Sequence, residues 1–154
     1  MKIKGKKLES SNVMTIVLPR YNGEEDIVFL AKVVLDYSEL KRLIKDPVAP
    51  DSIQNGKHVP DLKDKGYVSQ AKKNYEHRLN FMVLASLSET EGLEWETVDM
   101  TQPSTWGNWE TELKEAGLPT SEVNYIFDKV WEVNSLDADK MDEARDRFLL
   151  MKRG

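Results

Sequence analysis

The chain has 154 residues, of which 32% are charged and 40% hydrophobic, and its formal net charge is −5. This balance is typical of one globular domain and not of a disordered chain. The absence of cysteine excludes disulfides and thiol nucleophiles, and it fits a reducing cytosol. No apolar stretch follows the basic N-terminus, and no run of about 18 apolar residues occurs, so we expect neither a secretory signal nor a membrane span.

Charge is unevenly distributed along the chain. Between Ser88 and Asp146 there are 16 acidic and 4 basic side chains, a net charge of −12, which leaves +7 for the rest. Because binding to nucleic-acid phosphates needs clustered cations, the acidic C-terminal half argues against nucleic acid as a partner.

The N-terminal part predicts a β-hairpin after a flexible basic segment, residues 1–12. Residues 13–18 are apolar and rich in β-branched side chains, Asn22-Gly23 is a turn signal, and residues 27–35 form the returning strand. The hairpin therefore covers 13–35.

A short helix follows, with an expected capping box at its start. Asp36 is placed to accept from the first-turn amides and Glu39 to reach back to them, while Pro47 ends the helix. The segment 46–62 contains three prolines and Gly56, so it is interpreted as a long loop.

The rest, residues 63–150, is predicted to be helical. The longest helix should run from about Asp64 to Thr90, with an apolar stripe from Val68 to Leu87. Further helices start near Pro103 and Pro119, and a last one, capped by Asp137, carries Met141, Ala144, Phe148 and Leu149. The expected fold is mainly α within the α+β class: an N-terminal β-hairpin and about five helices, packed as a single domain over 13–150.

No catalytic, cofactor or metal site is expected. His58 and His77 lack partners at ligand spacing, and no glycine-rich phosphate loop is present. The run from Asp137 to Asp142 resembles a calcium loop but lacks the required glycine and the closing glutamate. Four acids that could be paired carboxylates are interpreted as a solvated edge: Glu91, Glu94, Glu96 and Asp99.

Tryptophans are the candidates for partner binding. All four lie in the C-terminal half, and tryptophan is enriched at the energetic centres of protein interfaces. It also fills cores, and the sequence leaves both roles open. The candidate residues are Trp95, Trp106, Trp109 and Trp131.

The chain resembles the tail assembly chaperones of long-tailed, siphovirus-like bacteriophages. The similarity runs from about residue 13 to 150 and lies in framework motifs. These are Ile16-Val17-Leu18-Pro19 with Asn22-Gly23-Glu24, the junction Val34-Leu35-Asp36-Tyr37-Ser38-Glu39, Gly92-Leu93-Glu94-Trp95-Glu96-Thr97-Val98-Asp99, Pro103-Ser104-Thr105-Trp106, and Asn134-Ser135-Leu136-Asp137.

The resemblance implies a non-enzymatic protein of the infected cell's cytoplasm. It would bind the tape measure protein, keep it soluble, help recruit tail tube subunits, and be able to form homo-oligomers. The alternative is a structural tail or neck component that stays in the particle. An enzyme with an unrecognised site and another kind of binding module are further alternatives.

Overall fold

The computed structural model describes residues 1–7, 12–135 and 138–153. Within them lie three two-stranded antiparallel sheets and five α-helices, so the expected mixed α+β class is confirmed. The strands are β1 Lys2–Ile3, β2 Lys6–Lys7, β3 Val13–Leu18, β4 Ile27–Lys32, β5 Asp51–Gln54 and β6 Lys57–Pro60. The α-helices are α1 Ser38–Leu43, α2 Lys65–Ser86, α3 Asn108–Glu115, α4 Thr120–Asn134 and α5 Ala138–Arg153, and a 3₁₀ turn spans Pro103–Thr105.

The expected hairpin is formed by β3 and β4, which pair from Val13 opposite Lys32 to Leu18 opposite Ile27. Side chains alternate between the two faces of a strand, so one face of this hairpin is buried. That face packs on α4 and on the end of α2. Its buried residues are Ile16, Leu18, Phe29 and Ala31.

The two edges of the hairpin differ. Along β4, the Leu30 amide donates to Thr90 Oγ1 (2.9 Å), and Ser86 Oγ donates to the Lys32 carbonyl (2.7 Å). Beyond β4, the Val34 amide donates to Asn134 Oδ1 (2.8 Å). Side chains from α2, from the segment after it and from α4 therefore close this edge. On β3, the pairing pattern points the backbone amides and carbonyls of Val13, Thr15 and Val17 away from β4. No group among the described residues forms a hydrogen bond with these three residues.

The expected loop over 46–62 is wrong, because β5 and β6 form a second hairpin there. Its turn is Asn55-Gly56, with φ of 53° and 74°. These left-handed values suit asparagine and glycine and match the twist of a two-residue hairpin turn. A third turn, at Lys4-Gly5, joins β1 to β2 within the N-terminal segment that was expected to be flexible.

The expected capping box at Asp36 is also wrong. Asp36 Oδ1 accepts from the Ser38 amide (2.9 Å), but the capping position belongs to Tyr37, which makes no side-chain capping bond. Glu39 pairs with Arg42 (2.7 Å) one turn along the helix instead of reaching back.

Helix α2 begins as expected, with Asp64 accepting from the Tyr67 amide (2.9 Å), but it ends at Ser86 instead of Thr90. Leaving the helix there brings the Thr90 hydroxyl to the edge of β4. The expected apolar stripe is buried only toward the end of the helix, since Val68 and Tyr75 are exposed. The segment 93–100 contains no strand.

Candidate interaction surface

The structure places two candidate tryptophans inside the core. Trp106 is fully buried, with its ring centroid 5.4 Å from that of Phe81 and 5.9 Å from that of His77. Trp109 is buried as well, and its Nε1 donates to Asn80 Oδ1 (2.9 Å). Neither indole offers a surface to a partner in this conformation, so both take the core-filling role that the sequence left open.

The other two tryptophans lie nearer the surface. Trp131 on α4 is 46% exposed and stacks on Phe127, and Phe127 stacks in turn on Trp109. The three rings form a ladder from the core to the surface. Trp95 is partly buried and packs against the core. Of the four candidates, Trp131 presents the most exposed indole, and its ladder does not include Trp95 or Trp106.

All four acids that were interpreted as a solvated edge are exposed, and one of them, Asp99, also organises the loop before α3. Asp99 Oδ1 accepts from the amide and the hydroxyl of Thr101, and these bonds lower the pKa of Asp99. Glu112 on α3 accepts from the Glu96 and Thr97 amides and from the Thr97 hydroxyl. Burial opposes ionisation of Glu112, but these bonds outweigh it, so its pKa is lowered. The carboxylates of Asp99 and Glu112 therefore serve as acceptors for backbone amides of this loop.

One ion pair joins the hairpin turn to α4. The Arg20 guanidinium donates to both carboxylate oxygens of Glu122, at 2.9 and 2.7 Å, and both side chains are mostly covered. Two parallel bonds fix the geometry more tightly than a single contact does. The exposed Arg42–Glu39 pair lies within one helix.

We expect a double-mutant cycle with Arg20→Ala and Glu122→Ala to give a larger coupling free energy than the same cycle at Arg42 and Glu39. The reason is that covered, bidentate pairs are less screened than exposed pairs on one helix. Urea unfolding of the variants measures both cycles. Equal couplings would show that the Arg20–Glu122 pair does not hold the turn on α4.

His77 lies against the core at the edge of Trp106. Burial lowers its pKa, the Lys73 charge acts in the same direction, and Glu76 and a hydrogen bond with the Pro103 backbone oppose them. The two histidines, His58 and His77, lie on different elements, β6 and α2. Among the described ranges, no group of three or more histidine or acidic residues is arranged to hold a metal ion.

We expect the free energy of unfolding to fall as the pH drops below about 6.5, the usual pKa of histidine. Because the pKa of His77 is lower in the folded protein than in the unfolded chain, the unfolded chain takes up the proton more readily, so acid favours unfolding. Urea titrations from pH 7.5 to 5 measure this slope, which should flatten in His77→Gln. Carboxylates contribute only at lower pH. If the substitution leaves this slope unchanged, His77 is not its cause.

A cleft of about 920 Å³ lies between α1 and the first half of α2. Tyr37 forms part of its wall, with the Arg78 guanidinium 5.5 Å from the ring centroid, and the Asn74 amide donates to the Lys45 carbonyl (2.8 Å). The wall is aromatic and basic, and its acidic side chain is Asp46.

Helix α5 differs from the other four because none of its residues is buried. The apolar residues predicted for this helix are all exposed, and none belongs to the hydrophobic core. Asp137, its expected cap, lies outside the described residues. The apolar side chains of α5 are Met141, Ala144, Phe148, Leu149, Leu150 and Met151.

The first half of α5 borders a cleft of about 670 Å³. Met141 and Ala144 line it from α5, Val133 from α4, and Val13 and Met14 from the start of β3. Lys140 Nζ lies 3.0 Å from Glu132 Oε1 and ties the first turn of α5 to the end of α4. Phe148 and Met151 continue the same side of the helix. An apolar strip therefore runs from this cleft along α5.

Comparisons of the chain with protein-family models, with curated proteins and with solved structures found no match. Within the described part of the chain, no helix is long and apolar enough to cross a membrane. The basis for a function is therefore the exposed helix α5, a feature that composition and motifs did not single out.

Proposed function

We propose that this protein is a non-catalytic assembly chaperone that binds helical segments of a long structural protein, its client, through α5. One observation carries the proposal: a 16-residue helix holds a row of large apolar side chains and buries none of them. Contiguous exposed apolar surface usually marks an interaction site, and an amphipathic helix recognises another helix by its row of apolar side chains.

The resemblance to tail assembly chaperones indicates which protein the client would be. On this proposal it is the tape measure protein of a long-tailed phage, bound in the host cytoplasm before tail tube subunits are recruited. Tape measure proteins are long helical chains with exposed apolar stripes, and a chaperone would cover those stripes until assembly. The acidic remainder of the chain would keep the complex in solution.

Co-expression with the longest helical open reading frame beside the gene tests this function. We expect the long protein to be insoluble alone and to co-purify with this chain when both are made. Mass spectrometry of purified particles should then lack this protein. Its presence in particles, without co-purification, would instead identify it as a structural tail or neck component.

A further inference from the structure

We infer that the client segment bound by α5 is an amphipathic helix with acidic side chains on both sides of its apolar stripe; this rests on the proposed function. The first observation is the spacing of the apolar residues. Met141, Ala144, Phe148 and Met151 are separated by three, four and three residues, which places them in one narrow seam. That spacing is the alternation used where two helices pack along their length.

The second observation is how charge is sorted around this seam. An α-helix turns by about 100° per residue, so each position has a fixed angle from the centre of the seam. Four of the five basic residues lie roughly 60–80° from it on both sides, whereas the acidic residues and the last basic residue, Arg153, lie roughly 120–180° away, on the opposite face. The flanking residues are Lys140, Arg145, Arg147 and Lys152, and the acids behind them are Asp139, Asp142, Glu143 and Asp146.

Two of these cations, Arg145 and Lys152, have contacts that leave room for a partner. Arg145 reaches Asp142 at 3.8 Å and Asp146 at 3.6 Å, both long distances between exposed groups. Lys152 Nζ lies 5.2 Å from the centroid of the Phe148 ring, so its charge sits directly beside the seam. An incoming carboxylate could therefore meet these cations while its helix covers Phe148 and Met151.

The same arrangement disfavours a second copy of α5 as the occupant. In a parallel pair, Arg147 of one helix would face Lys152 of the other, and Lys140 would face Arg145. In an antiparallel pair, each flank would meet the identical flank, so the opposed charges would again be positive. Like charges across a helix seam destabilise it, whereas an acidic partner replaces every repulsion by attraction.

A basic amphipathic helix can also lie on an anionic membrane. Helices that do so carry lysine and arginine across the polar face. On α5 that face holds four acids and one cation, Arg153, so its net charge is negative and an anionic lipid surface repels it. The observations therefore favour an acidic protein helix over a lipid surface.

Two synthetic 21-residue helical peptides test the inference against the full chain. Both have leucine at the seam positions, and one has glutamate and the other lysine at every flanking position. By calorimetry we expect the glutamate peptide to bind at least about tenfold more tightly at low salt, with the difference shrinking as salt rises. The variant with Arg145→Glu and Arg147→Glu should lose this preference.

Several results would overturn the inference: equal affinity for the two peptides, preference for the lysine peptide, or binding to phosphatidylserine vesicles with no binding to either peptide. Sedimentation that shows a dimer broken by Phe148→Glu would identify a second copy as the occupant and overturn it too.

Co-purification with the tape measure protein distinguishes a failure of this inference from a failure of the proposed function. If the tape measure protein co-purifies equally with the charge-reversed variant, the acidic-helix inference fails and the chaperone function stands. If the glutamate peptide binds selectively but no tape measure protein co-purifies, the recognition surface stands and the chaperone function fails.

Discussion

Replacing Trp106 by alanine should destabilise the protein by about 3–5 kcal/mol, the usual cost of removing a large buried aromatic side chain. Trp106 is fully buried between Phe81 and His77, so the lost indole would leave a cavity where the 3₁₀ turn meets α2. Because domains of this size are stable by only about 5–15 kcal/mol, a large fraction of molecules could unfold. Urea unfolding followed by circular dichroism measures the loss.

The matched control is Trp131→Ala, which removes the same side chain from the surface of α4. Trp131 is 46% exposed, so we expect a loss of about 1 kcal/mol or less. Trp106→Phe should fall between the two alanine variants, because it keeps an aromatic ring and removes the Trp106 Nε1 donor, which is buried without a partner among the described residues. Similar losses at Trp106 and Trp131 would contradict the placement of Trp106 in the core.

Changing Phe148 and Met151 together to glutamate should weaken binding of the tape measure protein by more than about tenfold, since large apolar anchors dominate interfaces of this kind. The fold should stay as stable as before, because neither side chain belongs to the core. Surface substitutions usually change stability by no more than about 0.5 kcal/mol. Co-purification measures binding, and thermal unfolding measures stability.

Leu150→Glu is the control for this pair. Leu150 lies on the same helix and is 66% exposed, but it faces away from the seam. The substitution adds one negative charge, as each member of the pair does, and removes a similar apolar side chain, so it should leave client binding unchanged. Equal weakening by Leu150→Glu would mean that the charge of α5, and not its seam, controls binding.

Most of the fold could be predicted because each element has a local signal. The β3–β4 hairpin and the start of α2 at Asp64 both follow from side-chain types at fixed positions. The missed hairpin, β5–β6, has such a signal as well. Asn55-Gly56 is the same dipeptide as Asn22-Gly23, but the prolines around it favoured the interpretation as a loop.

The interaction surface was harder to predict, because periodicity places apolar residues on one face of a helix without saying what covers that face. Trp109 and Phe148 both occur at helical spacing, yet one is buried and the other is exposed. Only the packing of α4 on the hairpin and on α2 separates them. The acidic composition of the C-terminal half argued against a nucleic-acid partner, and it held no information on the burial of Trp106.

Helix α5 also sets the thermodynamics of any complex that it forms. A lone helix of about this length is only marginally stable in water, because its first turn is costly to nucleate and packing supplies most of the stability of a helix. Because no residue of α5 is buried or belongs to the core, a partner would supply most of that packing. Binding would then be coupled to a coil-to-helix equilibrium, so substitutions that raise helix propensity on its outer face should tighten binding without touching the client.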